Sequence, residues 1–542
     1  MPQEQHLDVL VVGTGFSGIY TLHSMLQQGL TTKAIDSAPD VGGTWYWNSY
    51  PGAMSDTWNH MYRYTFDDEL LRTYPLSQWF ATQPEILEYL RHVVERHRLR
   101  PHMQFQTEMT SATWDDHAGV WRVQCQTGDV FVVRYLVTAL GLLHRAYLPD
   151  IPGASSFQGE IVHSAAWRPE LTVENKRVGV IGVGSTGVQI VTAVASQVQS
   201  LHVFIRRPQY SVPSGNRPMT PEERQDIVNR YPQIMREART SFIAMGFPEP
   251  SRTLMSLAPD DREKLLEDLW QGGNGMRFMF GGFADAITDA AACEVISEFL
   301  RKKIASIVRD PQKRAVLTPR ELFARRPLCD SGYYEQYNRE NVFAVDAQTH
   351  PIVEITPRGI RTADDTEYEL DVIIFATGFD AMDGSYNRIE IRGRDGQLLR
   401  DKWQQGPISY LGIGISGFPN LFMLNGPNGG FVNVPPLTET NVEFVRDLVR
   451  HAETVSRRRG RRCDIEPTGE SEDAWTQLAR SSVDATLFPR VPQWLTGRNV
   501  PGKSKVVPFY FGGLARLRAK LAEVQTRGYE GFKGLEEDLT RL

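Results

Sequence analysis

The chain has 542 residues, 41% of them hydrophobic and 23% charged, enough for about three to four domains and several buried cores. With 45 glycines and 32 prolines, the composition excludes a disordered or collagen-like chain. Lys and Arg number 59 against 65 Asp and Glu, a formal charge of -6, so nucleic acid is not an expected partner.

At the N-terminus, Leu7–Val12 is a β-branched run ending at Gly13, too short for a signal-peptide core or a membrane span. Thr14–Leu30 then has helical spacing at Phe16, Ile19, Leu22 and Leu26, and Thr32–Ile35 reads as a second strand closing on Asp36. This is the opening of a βαβ unit. Gly13, Gly15 and Gly18 form GxGxxG between strand and helix, where glycines permit a tight turn and let backbone N–H groups approach a pyrophosphate. Asp36, at the end of the next strand, is placed to accept hydrogen bonds from a ribose diol.

A second copy of the unit follows. Val178–Ile181 is the strand, Gly182, Gly184 and Gly187 form the turn, Val188–Val198 is the helix and Leu201–Ile205 the next strand. At the corresponding strand end stand Arg206 and Arg207 rather than an acid. A guanidinium there favours a 2′-phosphate, so the second site is expected to prefer NADP over NAD. Two dinucleotide sites imply hydride passing from a nicotinamide to a second redox cofactor, with flavin the natural candidate.

Polar helices fill the region from Arg217 to Ala324, opened by the capping-box sequence Thr220, Pro221, Glu222, Glu223. Strand character returns at Asp371–Ala376 and Asn420–Leu424, and such late strands usually rejoin the first sheet. The basic run Arg457, Arg458, Arg459, Arg461 and Arg462 is broken by Gly460 and reads as a helix end complementing the helix dipole. No interleaved aromatics are present to stack bases.

The intervening segments resemble a known family. Gly42, Gly43, Thr44, Trp45, Tyr46, Trp47 through Pro51 and Gly52 lie between the two fingerprints, and Phe157, Gly159, His163 and Trp167 keep the spacing FxGxxxHxxxW. Together they are similar to the signature of type I Baeyer–Villiger monooxygenases. Arg168 departs from the family pattern, which usually continues with Pro or Asp. The RRPLCDSGYY stretch from Arg325 and the Gly426–Gly430 stretch are similar to the cyclohexanone monooxygenase branch. The resemblance covers nearly the whole chain.

It implies FAD and NADPH as cofactors, O2 and a ketone as co-substrates, and an ester or lactone as product. Arg326 falls on the family's essential arginine, the positive charge beside a peroxyflavin anion, and Asp56 on the carboxylate that orients it. Gly43, Thr44, Trp45 and Arg325 are implied in cofactor binding. Trp494, in WxxGxNxPGK, is similar to a mobile loop that folds over NADP. Ala376–Asp380 is similar to a hinge. His163 and Trp167 are expected to organise a linker. Phe431, Asn433 and Leu437, in a loop running to Thr438, are expected to line the substrate pocket.

The expected fold is α/β, with two Rossmann-like dinucleotide-binding domains and a helical insertion. Residues 1–145 and 376–542 form the FAD domain, 146–215 and 325–375 the NADP domain, and 216–324 the insertion. Cys125, Cys293, Cys329 and Cys463 form no CxxC pair and the histidines no HExxH pattern, so no metal is expected. The chain reads as cytoplasmic, with no membrane partner. Three other functions fit both fingerprints: oxygenation of amine nitrogen or sulfide sulfur, an NADPH-dependent reductase or oxidase, and a catalytically silent nucleotide-binding redox sensor.

Overall fold

Two sheets organise the molecule, each built around one glycine turn. The structure, a computed structural model, describes residues 4–535; the outermost residues of the expected segments 1–145 and 376–542 lie outside that range.

In the first sheet Glu4–Val12 runs parallel to Thr32–Ile35 on one side and to Val130–Thr138 on the other. Its buried end alternates faces. Val9 and Val11 pack with Ile19, Leu22 and Met25 of helix Phe16–Gln27 and with Val445 and Leu448 of helix Val434–Arg459. Leu10 and Val12 pack on the opposite face with Trp121, Phe131 and Leu136. A strand buried on both faces reads as a continuous apolar run, hence its legibility in the sequence. The early part of Val130–Thr138 pairs antiparallel with Val120–Cys125, and its last three residues pair parallel with Leu421–Met423.

The second sheet is five-stranded and parallel, in the order Val342–Asp346, Ser200–Ile205, Arg177–Ile181, Val372–Phe375, Glu160–His163. Val178, Val180, Leu201 and Val203 face helix Ser185–Val194 and the inserted helices. Phe204, Ile373 and Phe375 face Ile355, Ile360 and Leu370, beside a small antiparallel sheet. Of the two late strands, Leu421–Met423 joins the first sheet, whereas Val372–Phe375 joins the second.

Helix Pro221–Arg239 begins with the expected capping box, in which Thr220 Oγ1 accepts from Glu223 N–H at 3.2 Å and Glu223 Oε2 from Thr220 N–H at 2.9 Å. Such a cap contributes about 1 kcal/mol. The inserted helices are not a separate lobe. Ile227, Tyr231 and Met235 pack on Met61, Leu71 and Leu76 near the first sheet, while Met276, Phe278, Ile296 and Leu300 join the core of the second. Helix Val434–Arg459 ends at Gly460, whose φ of +68° closes it behind three arginines.

One local expectation is corrected. The stretch to Thr438 is loop only as far as Asn433, because Pro435 and Pro436 sit in the first helical turn, where a missing N–H breaks no intrahelical bond. Leu437 is therefore a helix residue. Thr44–Trp47 forms one helical turn.

Candidate active site

The two glycine turns have nearly the same geometry. Gly13 has φ +107° and Gly182 φ +106°, and a Cβ would meet Ala139 O at 2.4 Å in the first and Ala376 O at 2.5 Å in the second. Only glycine fits both positions. Gly18 and Gly187 are packing residues, since a Cβ would lie 1.7 Å from Gly13 O and 2.1 Å from Gly182 O. Gly15 and Gly184 cap helices Phe16–Gln27 and Ser185–Val194 with no side-chain hydrogen bond. The first-turn N–H groups are thus left for a ligand, and this arrangement fits a pyrophosphate at each helix.

Both turns open onto one cavity of about 840 Å³, toward the upper end of the roughly 300–1,000 Å³ usual for small-molecule sites. Its walls bring together Gly13, Gly15, Asp36, Gly43, Thr44 and Trp45 from the first unit, and Gly182, Gly184, Arg206 and Arg207 from the second. Asp56, Arg325, Arg326, Phe431, Asn433, Leu437 and Trp494 line it as well. Gly18, Gly187, His163 and Trp167 are not among the lining residues.

Asp36 is held on the cavity wall by Thr14, whose N–H and Oγ1 donate to Oδ2 at 2.6 and 2.8 Å, and by Ala38 N–H, which donates to Oδ1 at 2.9 Å. The remaining lone pair on Oδ1 is available to a ribose hydroxyl. Arg206 and Arg207 are exposed at the end of Ser200–Ile205 and have no ion-pair partner among the described residues. The donors of Arg325, by contrast, are turned into the protein. They reach Pro492 O at 3.1 Å, Pro208 O at 3.1 Å and the Glu321 carboxylate, so Arg325 ties the segment after Arg207 to the loop before Trp494.

Arg326 Nη2 lies 2.6 Å from Asp56 Oδ2, with 26% and 16% of the two side chains exposed. Asp56 caps no helix. Around the pair, burial raises the Tyr62 hydroxyl and pushes the Cys329 thiol up to about 12, with Asp56 adding to the rise and Arg326 opposing it. Ile243, Met245, Met276, Leu328 and Phe509 complete an apolar wall. Ile243 and Met245 flank Ala244, whose φ is +59°. The wall position is maintained by Asn433, which donates its N–H to Ile243 O and its Nδ2 to Ala244 O and Met61 O, all at 3.0 Å. No sequence pattern marks Ile243 or Met245, which follow a polar helix and acquire their place only through this bracing.

Trp494 is half-buried and edge-on to Phe509 at 6.2 Å. Its loop is fastened to the 376–382 crossing, where the chain passes from the second sheet back to the first. Asn499 Nδ2 donates to Phe379 O at 2.8 Å, and Lys503 Nζ lies 2.5 Å from both Asp380 Oδ1 and Asp383 Oδ1. On the outward crossing, between Thr138 of the first sheet and Glu160 of the second, Tyr147 N–H donates to Gly378 O at 2.8 Å. His163 Nδ1 accepts from Ala165 N–H at 3.0 Å and Nε2 lies 3.2 Å from Gly378 O. Burial lowers its pKa, consistent with a neutral ring protonated on Nε2. Trp167 is half-buried and packs against the core of the second sheet.

Two βαβ units in separate sheets, each with a glycine turn facing a shared cavity, define an oxidoreductase that brings two dinucleotides together. A family profile described as Flavin-binding monooxygenase-like matches residues 6–212. The chain is 46% identical to phenazine N-monooxygenase PhzNO1 of Lysobacter antibioticus over 97% of both chains. It is 42% identical to cyclohexanone 1,2-monooxygenase of Acinetobacter sp, over 98% of this chain and 97% of that one. The NADP+-bound crystal structure of cyclohexanone monooxygenase from Rhodococcus sp. Phi1 superposes with a TM-score of 0.96 at 48% identity, covering 98% of this chain and 99% of the other. The chain belongs to the flavin-binding monooxygenase family, among its Baeyer–Villiger members. Among the described residues, no helix is long and apolar enough to cross a membrane and no group of His, Cys, Asp and Glu could hold a metal ion.

Proposed function

We propose that this protein is an FAD-containing, NADPH- and O2-dependent monooxygenase that converts ketones, cyclic ones foremost, to esters or lactones. The observation that carries the reading is the Arg326–Asp56 ion pair, set in the wall of the cavity that both glycine turns share. The first nucleotide unit, in the expected segments 1–145 and 376–542, would hold FAD, with Gly13, Gly15 and Asp36 at its pyrophosphate and ribose. The second, from 146–215 and 325–375, would hold NADP, with the unpaired Arg206 and Arg207 meeting the 2′-phosphate. Residues 216–324 are the insertion. Free, buried cysteines support a cytoplasmic setting.

Bound FAD would supply the redox chemistry, taking a hydride from NADPH and passing two electrons to O2. The chain's own part is electrostatic and steric. Arg326 keeps a permanent positive charge where negative charge develops on oxygen as the carbonyl carbon is attacked, and its planar donors suit the resulting oxyanion. Asp56 keeps that guanidinium pointed into the cavity. The apolar wall around Ile243, Met245, Phe431 and Leu437 orients the substrate and excludes water. Trp494 and its loop cover the second nucleotide, while Arg325, His163 and Trp167 brace the segments between the sheets.

The test is NADPH oxidation by the purified flavoprotein over a ketone panel under isotopically heavy O2. One heavy oxygen in a lactone or ester supports the reading. Its absence from every ketone product sinks it. The 46% identity to a phenazine N-monooxygenase favours a second reading, oxygenation at an aromatic ring nitrogen, for which the label appears in an N-oxide.

A further inference from the structure

The catalytic pair is anchored from a direction the family fingerprints do not mark. Gln189 lies on helix Ser185–Val194, the helix of the second glycine turn, and is 8% exposed. Its side chain reaches the loop that carries Asp56. Tyr50 Oη donates to Gln189 Oε1 at 2.8 Å, and Gln189 Nε2 donates to Met54 O at 3.1 Å. The contact is close along its length: a Cβ on Gly52, at φ +81°, would lie 2.7 Å from Gln189 O and 2.9 Å from Ala193 Cβ. On its other side the same loop belongs to the first domain, with Ser55 N–H donating to Ala81 O at 3.0 Å and Gln83 N–H to Ala53 O at 2.8 Å. Burial pushes the Tyr50 hydroxyl up to about 12, so it stays a donor throughout the working pH range.

Residues 50–56 thus form a strap between the two nucleotide units, and Asp56 sits at its end. We propose that Gln189 is a positioning residue that ties the Asp56 carboxylate to the helix at the second nucleotide site, so that Arg326 is held in its working orientation only when that helix is in place. The coupling is chemically economical. One amide spans the strap with its acceptor on Tyr50 and its donor on Met54, and neither contact touches a reacting atom. This inference rests on the Arg326–Asp56 reading and extends it to the residue that sets the pair.

Two variants of the flavin-loaded full-length protein test it: Gln189→Leu, which removes both bonds at similar volume, and Tyr50→Phe, which removes one with little change in packing. The structural readout is amide hydrogen exchange. Exchange in 50–56 is expected to rise about tenfold in Gln189→Leu, the factor that matches roughly 1.4 kcal/mol for lost buried hydrogen bonds, with residues 83–96 unchanged. The functional readout is the fraction of oxidised NADPH that yields oxygenated product rather than hydrogen peroxide, and this should fall in both variants. Combined with Asp56→Ala, Gln189→Leu should cause no further fall. Unchanged exchange in 50–56, or losses that add in the double variant, would overturn the inference while leaving the Arg326–Asp56 reading intact. Normal coupling in Asp56→Ala alone would overturn both.

Discussion

Asp56 and Arg326 meet although one follows an aromatic segment near the first glycine turn and the other lies two residues before strand Leu328–Asp330, which pairs with Ser211–Pro213. Their carboxylate and guanidinium are 2.6 Å apart and face the same cavity as both turns. The pair is only part-exposed, so solvent screens it less than a surface bridge. That geometry makes the charge at Arg326 directional as well as permanent.

Arg326→Ala is expected to leave reduction of the flavin by NADPH largely intact and to lower the yield of oxygenated product by about 10²–10³-fold, the usual loss for one preorganised charge donor. Anaerobic stopped-flow reduction and product analysis separate the two steps. Asp56→Ala should show a milder loss of the same kind, because the charge remains but its direction does not.

Replacing Arg206 or Arg207 by Ala should raise KM for NADPH by about ten- to hundredfold, the range for charge-assisted hydrogen bonds, with little change for NADH. Equal losses with both nucleotides would mean that these exposed arginines do not read a 2′-phosphate.

The two glycine turns predict a matched pair of defects. Gly18→Ala places a methyl 1.7 Å from Gly13 O, and Gly187→Ala one 2.1 Å from Gly182 O, each straining its turn by about 1–3 kcal/mol. Gly18→Ala should purify with reduced flavin content. Gly187→Ala should keep its flavin spectrum but bind NADP+ weakly in a calorimetric titration.

Lys503 is only 12% exposed and neutralises Asp380 and Asp383 together. Lys503→Met leaves two neighbouring, part-exposed carboxylates without their cation, a loss of about 1.5–3 kcal/mol for charge-assisted hydrogen bonds. The Trp494 loop should detach from the 376–382 crossing, seen as faster tryptic cleavage after Arg498. A cleavage rate equal to wild type would show that other contacts fasten the loop.

His60 predicts acid sensitivity. Burial first, then Arg63 and Arg230, hold its imidazole down at about 3, and it stacks on Trp58 at 5.6 Å. Below about pH 6.5 the unfolded chain takes up a proton that the folded one refuses, so stability falls as pH drops from 6.5 toward the folded value. At pH 5 this costs about 2 kcal/mol. His60→Phe should flatten the decline of the thermal midpoint between pH 7 and 5, while an unchanged slope would assign it to the other buried histidines.

The strands at Leu7–Val12, Thr32–Ile35, Val178–Ile181 and Leu201–Ile205 were legible because the buried stretches of parallel strands are largely apolar, and the glycines between strand and helix because only they tolerate the turn. Arg206 and Arg207 could be read for the same local reason, as charge at a fixed offset from a turn. Which strands close each sheet was not local information: Leu421–Met423 and Val372–Phe375 look alike in sequence and join different sheets. Gln189 looked like one helix residue among others, Arg325 was implied only in cofactor binding, and Ile243 and Met245 fell within an insertion of polar helices. Their neighbours are distant in the chain, and hydrogen-bond partners, burial and the direction of a side chain are properties of packing rather than of spacing. The amino-acid order therefore dictated two nucleotide folds and the charges they carry, whereas only the folded chain brought Asp56 to Arg326, because a contact between remote segments is decided by how whole layers pack.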